Sequence, residues 1–250
     1  MSESRPRQRA SERIAEALRR DIIAGRPVDR TPALMARFGV SRPTLREAFR
    51  VLESERLIEV RHGSRNGVRA LRPAADSAAR VTGQTLQAAG ATIEQLYEAR
   101  EAFEPFAAAL LARRRDRRDI GALRAAHADL DALVAAQAWQ DLGGALARFH
   151  ETLVALTGNQ MLALTAATIA TLLETHQRNR RVRAADDLDA ATLEFRSRGV
   201  RSIARLTRLI EAGDAAGVEA HWREHLAKST AFWLAGDDPH AVLDILGTHP

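Results

Sequence analysis

Arg42, Arg46 and Arg50 stand four residues apart, with Ser41 and Thr44 beside the first of them. On a helix this spacing sets three guanidinium groups in one row. A guanidinium fork pairs bidentately with O6 and N7 of guanine in the major groove of DNA, or clamps a phosphate. A second group carries imidazole chemistry: His150, then His221 and His225 one helical turn apart. The stretch His221-Trp222-Arg223-Glu224-His225 spells H-x-x-E-H, a pattern in which two histidines hold zinc and the glutamate acts as base, although five residues make a short motif. Arg100 is the third candidate, since its fork can hold a carboxylate bidentately, or else pair with Glu101 or Glu104 on its own helix. Each of these groups also has a structural reading, as a solvated charged face, a surface histidine or an internal ion pair, so the elements that place them decide.

The arginine row sits in a recognisable frame. Ser11 is expected to cap a first helix with Ile14, Ala17, Leu18 and Ile22 at helical spacing and Gly25 as its left-handed stop. Thr31 and Pro32 open a second helix through Leu34, Met35 and Phe38 that ends at Gly39. Gly39, Val40 and Ser41 form the turn, and Ser41 caps a third helix from Arg42 to about Glu53, buried through Leu45, Ala48, Phe49 and Leu52, with Pro43 tolerated in its first turn. Two helices joined by so short a turn make a helix-turn-helix. Leu57–Arg61 and Val68–Leu71 read as strands around His62-Gly63-Ser64-Arg65-Asn66-Gly67, a hairpin of the kind that forms a wing. Arg65 at its tip, with His62 and Asn66, is a further candidate for a DNA contact.

Charge supports that reading. The chain of 250 residues has 37 basic and 32 acidic side chains, yet residues 1–72 alone hold 17 Arg against 9 acidic groups, a balance of +8, while the remainder is −3. Such asymmetry favours two domains, the basic one meeting a polyanion. Several classes are excluded. No apolar run approaches the length of a membrane span, and the charged N-terminal stretch has no apolar core of a secretory signal, so a soluble cytoplasmic protein is expected. The absence of cysteine removes disulfides, thiolate zinc fingers and a cysteine nucleophile, and Lys228, the only lysine, follows no phosphate-binding glycine loop.

From about 76 onwards the pattern is helical throughout, with helices expected at 76–88, 92–114, 118–136, 138–157, 160–182, 189–212 and 214–235. Gly90, Gly158 and Gly213 act as stops and Asn159 and Asp214 as caps. Pro105 should kink the second of these helices, residues 180–189 read as a loop, and the tail 237–250, with Val242, Leu243, Ile245 and Leu246, suits a final amphipathic helix. The fold class is thus mainly α, divided into a winged helix-turn-helix over 1–72, a linker over 73–75, a bundle of six or seven helices over 76–236 and a tail.

Phe38-Gly39-Val40-Ser41-Arg42-Pro43-Thr44-Leu45-Arg46-Glu47-Ala48, followed by Leu52-Glu53 and Leu57-Ile58-Glu59, resembles the winged-helix signature of GntR-type bacterial transcription regulators. The resemblance implies DNA contacts at Arg42 and Arg46. Where such regulators carry an arginine that opens the second helix this chain has Pro32, and Arg30 stands two residues away as a substitute. Leu96-Tyr97-Glu98-Ala99-Arg100 with Glu104-Pro105, Phe149-His150 with Thr157-Gly158-Asn159, Ile210-Glu211-Ala212-Gly213-Asp214 and His225-Leu226 resemble the FCD ligand-binding domain of the FadR subgroup. That implies a homodimer on a near-palindromic operator, repression as the commoner mode, and a small acid bound in the bundle that changes operator affinity.

Many FCD domains hold a metal with one Asp and three His, and here the sequence departs. Leu146 stands four residues before His150 where the Asp is expected, and Ile203 stands 22 residues before His225 where a His is expected. Zinc and similar ions need three or four N or O donors. We therefore expect no metal and no cofactor. The pocket expected is a cavity lined by Leu146, Ile203, His150, His225, Arg100 and His221, suited to a larger or greasier acid such as an acyl derivative. Trp139, Trp222, Trp233, Phe103 and Phe106 are expected in the core or at a dimer interface. The rival readings are a metal-dependent enzyme centred on His150, His221 and His225, and a DNA-binding protein that answers to no ligand.

Overall fold

In the computed structural model, which describes residues 4–60, 68–71, 75–183, 189–235 and 238–245, the apolar stripe of α1 (Ser4–Ile23) buries Ile14, Ala15, Leu18 and Ile22. These side chains pack on Leu45, Ala48, Phe49 and Leu52 of α3 (Arg42–Ser54), with Leu34 of α2 (Thr31–Phe38) closing the cluster. β1 (Ile58–Val60) pairs antiparallel with β2 (Val68–Ala70), Val60 opposite Val68, and Leu57 and Ile58 enter the same core. The first helix is longer than expected. It already runs from Ser4, so Ser11 lies inside it and is buried rather than capping it. Likewise the N-cap of α2 is Arg30 rather than Thr31, with Pro32 in the first turn. Gly39 ends α2 with φ 64°, a left-handed conformation that glycine adopts without strain, and its N–H donates to the Met35 carbonyl.

Ion pairs tie the helices of this unit together. Arg19 of α1 donates through Nε (2.8 Å) and Nη2 (2.6 Å) to the two oxygens of Glu55, just past α3. The Asp21 carboxylate is buried, accepting from Arg26 (2.5 Å) and lying 2.9 Å from Arg37 of α2.

The second unit, Ala78–Pro250 against Met1–Ser77 for the first, is helical. Its helices are α4 (Ala75–Ala88), α5 (Ile93–Arg114), α6 (Arg117–Ala135), α7 (Trp139–Ala155), α8 (Gln160–Arg183), α9 (Ala190–Ala212) and α10 (Ala215–Leu234). Local chemistry sets their ends. Thr92 and Gln95 form a reciprocal capping box on α5; Asp116, Asp189 and Asp214 cap α6, α9 and α10; Asn159 accepts from the Met161 and Leu162 N–H groups at the start of α8. α5 is the central element. Ala107, Ala108, Ala109, Leu111 and Ala112 are fully buried, and small side chains let α10, α8, α9 and α7 approach closely. It remains one helix through Pro105, where only the hydrogen bond to Glu101 must be missing. Leu123, Leu142, Phe149, Leu153, Ile203, Leu206, Ile210 and Trp222 form the main core.

Two expectations are corrected. Residues 180–183 belong to α8 rather than to a loop. The tail is no helix over 241–245: it lies extended as a strap, Thr92 bridging Val242, with Ile93 N–H donating to Ala241 (3.3 Å) and Leu243 N–H to Ala91 (2.8 Å). Leu243 is buried, and Gly83 of α4 lets Ile245 and Leu172 come so close that a Cβ there would overlap both. In the extended strap Leu243 and Ile245 alternate onto the cluster of Ile93, Leu96 and Leu172, while Val242 points to solvent. Leu246 lies outside the described residues. Among the described residues no helix is long and apolar enough to cross a membrane.

The Asp21 carboxyl is held below the usual carboxylate range, first by the Arg26 hydrogen bond and then by Arg37. A depressed folded value contributes stability that is present above the ordinary Asp value of about 3.9 and lost as pH falls through the folded one. Both arginines are half exposed, so screening limits the gain. Asp21→Asn should cost about 1 kcal/mol in chemical unfolding at neutral pH, and the difference from wild type should vanish in acid below the folded value. A penalty independent of pH would contradict the ion-pair account.

Candidate functional site

The exposed face of α3 carries Arg42, Arg46 and Arg50, while its other face is the core of the unit. Arg50 reaches back to Glu47 (2.9 Å). Arg42 and Arg46 pair with no side chain among the described residues, in contrast to Arg19, Arg26, Arg37 and Arg69, each of which meets a carboxylate. Arg19 is thereby withdrawn from the general phosphate attraction that its charge suggests. Ser41 is exposed at the N-cap of α3 in an extended conformation, and its hydroxyl lies 3.1 Å from the Thr44 hydroxyl instead of capping the backbone. Thr44 is corrected: it is buried, so it braces the helix start and offers no surface. Arg30 is exposed at the start of α2. Arg65, His62 and Asn66 lie outside the described residues.

The second unit encloses a cavity of about 550 Å³ between α5, α7, α8, α9 and α10. One side is apolar, with Tyr97, Phe103, Ile169, Leu173, Phe195 and Trp233 in its wall. Phe195 stacks on Phe232 at 3.8 Å, which fixes the Phe195 ring, and Trp233 meets both rings edge-on. The other side is polar. It presents Arg100, Glu104, His150 and His225, together with Gln140, Arg148, Glu151 and Arg196.

Glu104 organises that side. Its side chain is 2% exposed, and its oxygens accept from Arg100 Nε (2.8 Å), Trp222 Nε1 (3.0 Å) and His150 Nδ1. Burial alone would raise this carboxyl, but His150 and Arg100 outweigh it and hold it down at about 2, so it is ionised. An ionised carboxylate only accepts, so Nδ1 of His150 carries the proton. Burial and then the Arg100 charge push the His150 imidazolium down, against the pull of the Glu104 carboxylate. His225 is pushed down to about 3, chiefly by burial and then by His150 and Arg100. Its Nδ1 lies 3.0 Å from Ser202 Oγ, and its ring stacks 4.3 Å from Trp222 and 5.6 Å from His150.

The remaining candidates separate. Leu146 is half-buried and lines the cavity. Ile203 does not: it is fully buried in the main core beside Leu206 and Ile210, because the α9 face it occupies is the apolar one. His221 is also absent from the wall, since its Nε2 donates to the Ser202 carbonyl at 2.9 Å. Glu224 is exposed and paired with Lys228, so the H-x-x-E-H side chains do not converge and the zinc-enzyme arrangement is not assembled. Nor do the residues fit the metal of the FCD fold. Two imidazoles face the site, with Nδ1 bonded to Glu104 and Ser202 and Nε2 left as the possible donor of each, and the other two positions are Leu146 and Ile203, so the set falls short of the three or four donors such an ion needs. No group of three or more possible ligands occurs among the described residues. Trp222 is packed in the core as expected, whereas Phe103 and Trp233 line the cavity and Phe106 is exposed, with the Arg113 guanidinium 5.9 Å from its ring.

Comparison with known proteins fits both halves. The family model described as bacterial regulatory proteins, gntR family, matches residues 10–68, and the FCD domain model matches residues 95–228. The chain belongs to the GntR family. It is a DNA-binding, ligand-modulated transcription regulator, built as a winged helix-turn-helix with a C-terminal FCD bundle. Regulators of this family are generally not enzymes. A Streptococcus agalactiae GntR structure is similar over 88% of this chain and 98% of its own, at 19% identity and a TM-score of 0.64, which shows a shared fold. Lar of Listeria monocytogenes (17% identity, 90% and 97% covered, TM-score 0.44) and a transcriptional regulator GntR of Rhodococcus sp. RHA1 (21%, 91% and 99%, TM-score 0.42) also match. No curated protein matches in sequence.

Reading residues alone missed Glu104 as a hub, Ser202 as the partner of His225, and Phe195 and Arg196 in the wall. The one signal for Glu104 was its place one turn after Arg100. Glu104→Gln keeps the shape and removes the charge, leaving the Arg100 guanidinium buried without its counter-ion. It should destabilise the bundle by about 3 to 5 kcal/mol, read by chemical denaturation; a cost under about 1 kcal/mol would mean that Arg100 has another counter-ion.

Proposed function

We propose that this GntR regulator reads its operator through the N-terminal half of α3, with Arg42 and Arg46 on base edges or phosphates and Arg50, Arg30, Ser41 and the wing residue Arg65 supporting them. The N-terminal end of a recognition helix is the part that reaches base edges. The observation that carries the reading is the placement of Arg42 and Arg46: both stand exposed at the start of α3 with no carboxylate partner among the described residues, whereas Arg19, Arg20, Arg26, Arg37, Arg50 and Arg69 of the same unit each meet one. The regulator acts as a cytoplasmic homodimer and repressor on a near-palindromic operator whose half-sites lie about one helical turn apart, and it catalyses no reaction. The effector is a small organic acid or acyl compound in the FCD cavity. Arg100 supports this choice, because Glu104 engages its Nε and leaves both Nη groups for a carboxylate.

Binding to an operator selected from genomic DNA tests the reading. Arg42→Ala and Arg46→Ala should each weaken binding by about 1 to 3 kcal/mol, and log affinity should fall steeply with log salt as phosphate counter-ions are released. Operator affinity that survives both substitutions would refute α3 as the reading helix.

A further inference from the structure

We propose that the C-terminal strap over 238–245 is a clasp that fastens α4, the helix following the DNA-binding unit in the chain, to the outer side of the cavity wall, and that its seating sets how tightly that unit is tethered to the bundle. α4 and the strap both lie outside the residues that the two family models match, 10–68 and 95–228. The effect on DNA rests on the homodimer reading above, whereas the clasp itself does not.

The strap is held at three places. Beside its backbone bonds to Ala91 and Ile93 in the turn before α5, it meets α8, where Asn179 Nδ2 donates to the Asp244 carbonyl at 3.1 Å and the Asp244 N–H donates to His176 Nδ1 at 3.3 Å. The third tie is to α4. Gln87 Oε1 accepts from the Ile245 N–H at 3.2 Å, the one hydrogen bond from that helix to a distant segment among the described residues. Packing makes α4 the dependent partner, since a 14-residue helix with a glycine near its middle is marginal on its own in water. That glycine, Gly83, is where Ile245 and Leu172 press against the helix backbone, in space that any Cβ would take from them.

The strap also backs the cavity. Leu243 shares one apolar cluster with Tyr97, Phe103, Ile169, Leu173 and Trp233, and those five side chains line the cavity from its other side. On α8 the division is plain: Ile169 and Leu173 face the cavity, while Leu172 between them meets Gly83 of α4. A shift of this wall therefore disturbs the seat of the strap, and the coupling runs equally in the other direction. Release of the strap frees α4, which lengthens the loose tether of each DNA-binding unit. Two units of a homodimer on longer tethers meet their half-sites at a lower effective concentration.

Hydrogen exchange read by mass spectrometry, on the full chain and on a chain ending at Asp237, with neither DNA nor ligand present, tests the clasp. Amides of α4 should exchange about ten-fold or more faster in the shortened chain, while those of α6 and α9 change by less than about two-fold. Leu243→Ala, which keeps the chain length, should give the same pattern more weakly. Unchanged α4 amides, or faster exchange of all the helices alike, would overturn the clasp, and if the shortened chain does not fold, Leu243→Ala decides by the same criteria. Operator binding is the second readout: the shortened chain should bind about ten-fold more weakly than the full chain. A loosened α4 with unchanged operator affinity would overturn the link to DNA. The exchange measurement involves no operator, so operator binding that survives Arg42→Ala and Arg46→Ala would refute the reading helix and leave the clasp standing.

Discussion

A carboxylate buried to 2% exposure cannot remain ionised without compensation, and the second unit of this regulator is arranged around that constraint. Removing such a charge from water costs several kcal/mol unless hydrogen bonds and an opposite charge repay it. Here α5 supplies both the acid and its Arg100 counter-ion, α7 supplies His150 and α10 supplies Trp222. Three helices are thereby fixed in register at the wall of the cavity. Each satisfied bond also has a directional consequence, since a group that spends one nitrogen on Glu104 presents the other to the ligand. The knot that stabilises the bundle is thus also what determines which hydrogen-bonding partners a ligand must bring.

The first unit uses charge in the opposite way. Its excess of arginine divides into groups that hold the fold and groups left for solvent. Arg19 ties α1 to the end of α3, and Arg26 and Arg37 neutralise Asp21. Once these are accounted for, the exposed arginines include Arg42 and Arg46 at the start of α3, Arg30 before α2, and Arg13 and Arg56 elsewhere. Net charge on its own would have spread the same role over every arginine of the segment.

The helix ends were readable because they depend on neighbours in sequence. Gly39, Gly90, Gly158 and Gly213 all adopt positive φ at helix ends, and Asp214 caps as its type predicts. Where several local starts compete, packing decides. Ser11 is a good cap, but α1 gains more by running through it, and the strap over 241–245 buries Leu243 in a groove instead of coiling. The arginine row was legible for the same local reason, since one face of a helix follows from spacing alone. The cavity was less so. Leu146 and Ile203 occupy comparable places in the sequence pattern, yet one lines the wall and the other is sealed in the core. His221 and His225 lie one turn apart, yet Ser202 on α9 draws the first away from the cavity and orients the second. Those outcomes depend on which helix packs against which face, information that no single segment carries.

The account's central claim is that Glu104 sets the proton positions of the site, and long-range ¹⁵N–¹H correlation spectra of the imidazole rings test it most directly. At neutral pH, without metal, His150 is predicted to be neutral, with its proton on Nδ1 and a bare Nε2, and His225 is predicted to be neutral with its proton on Nε2. A doubly protonated His150, or a His150 ring with its proton on Nε2, would contradict the account.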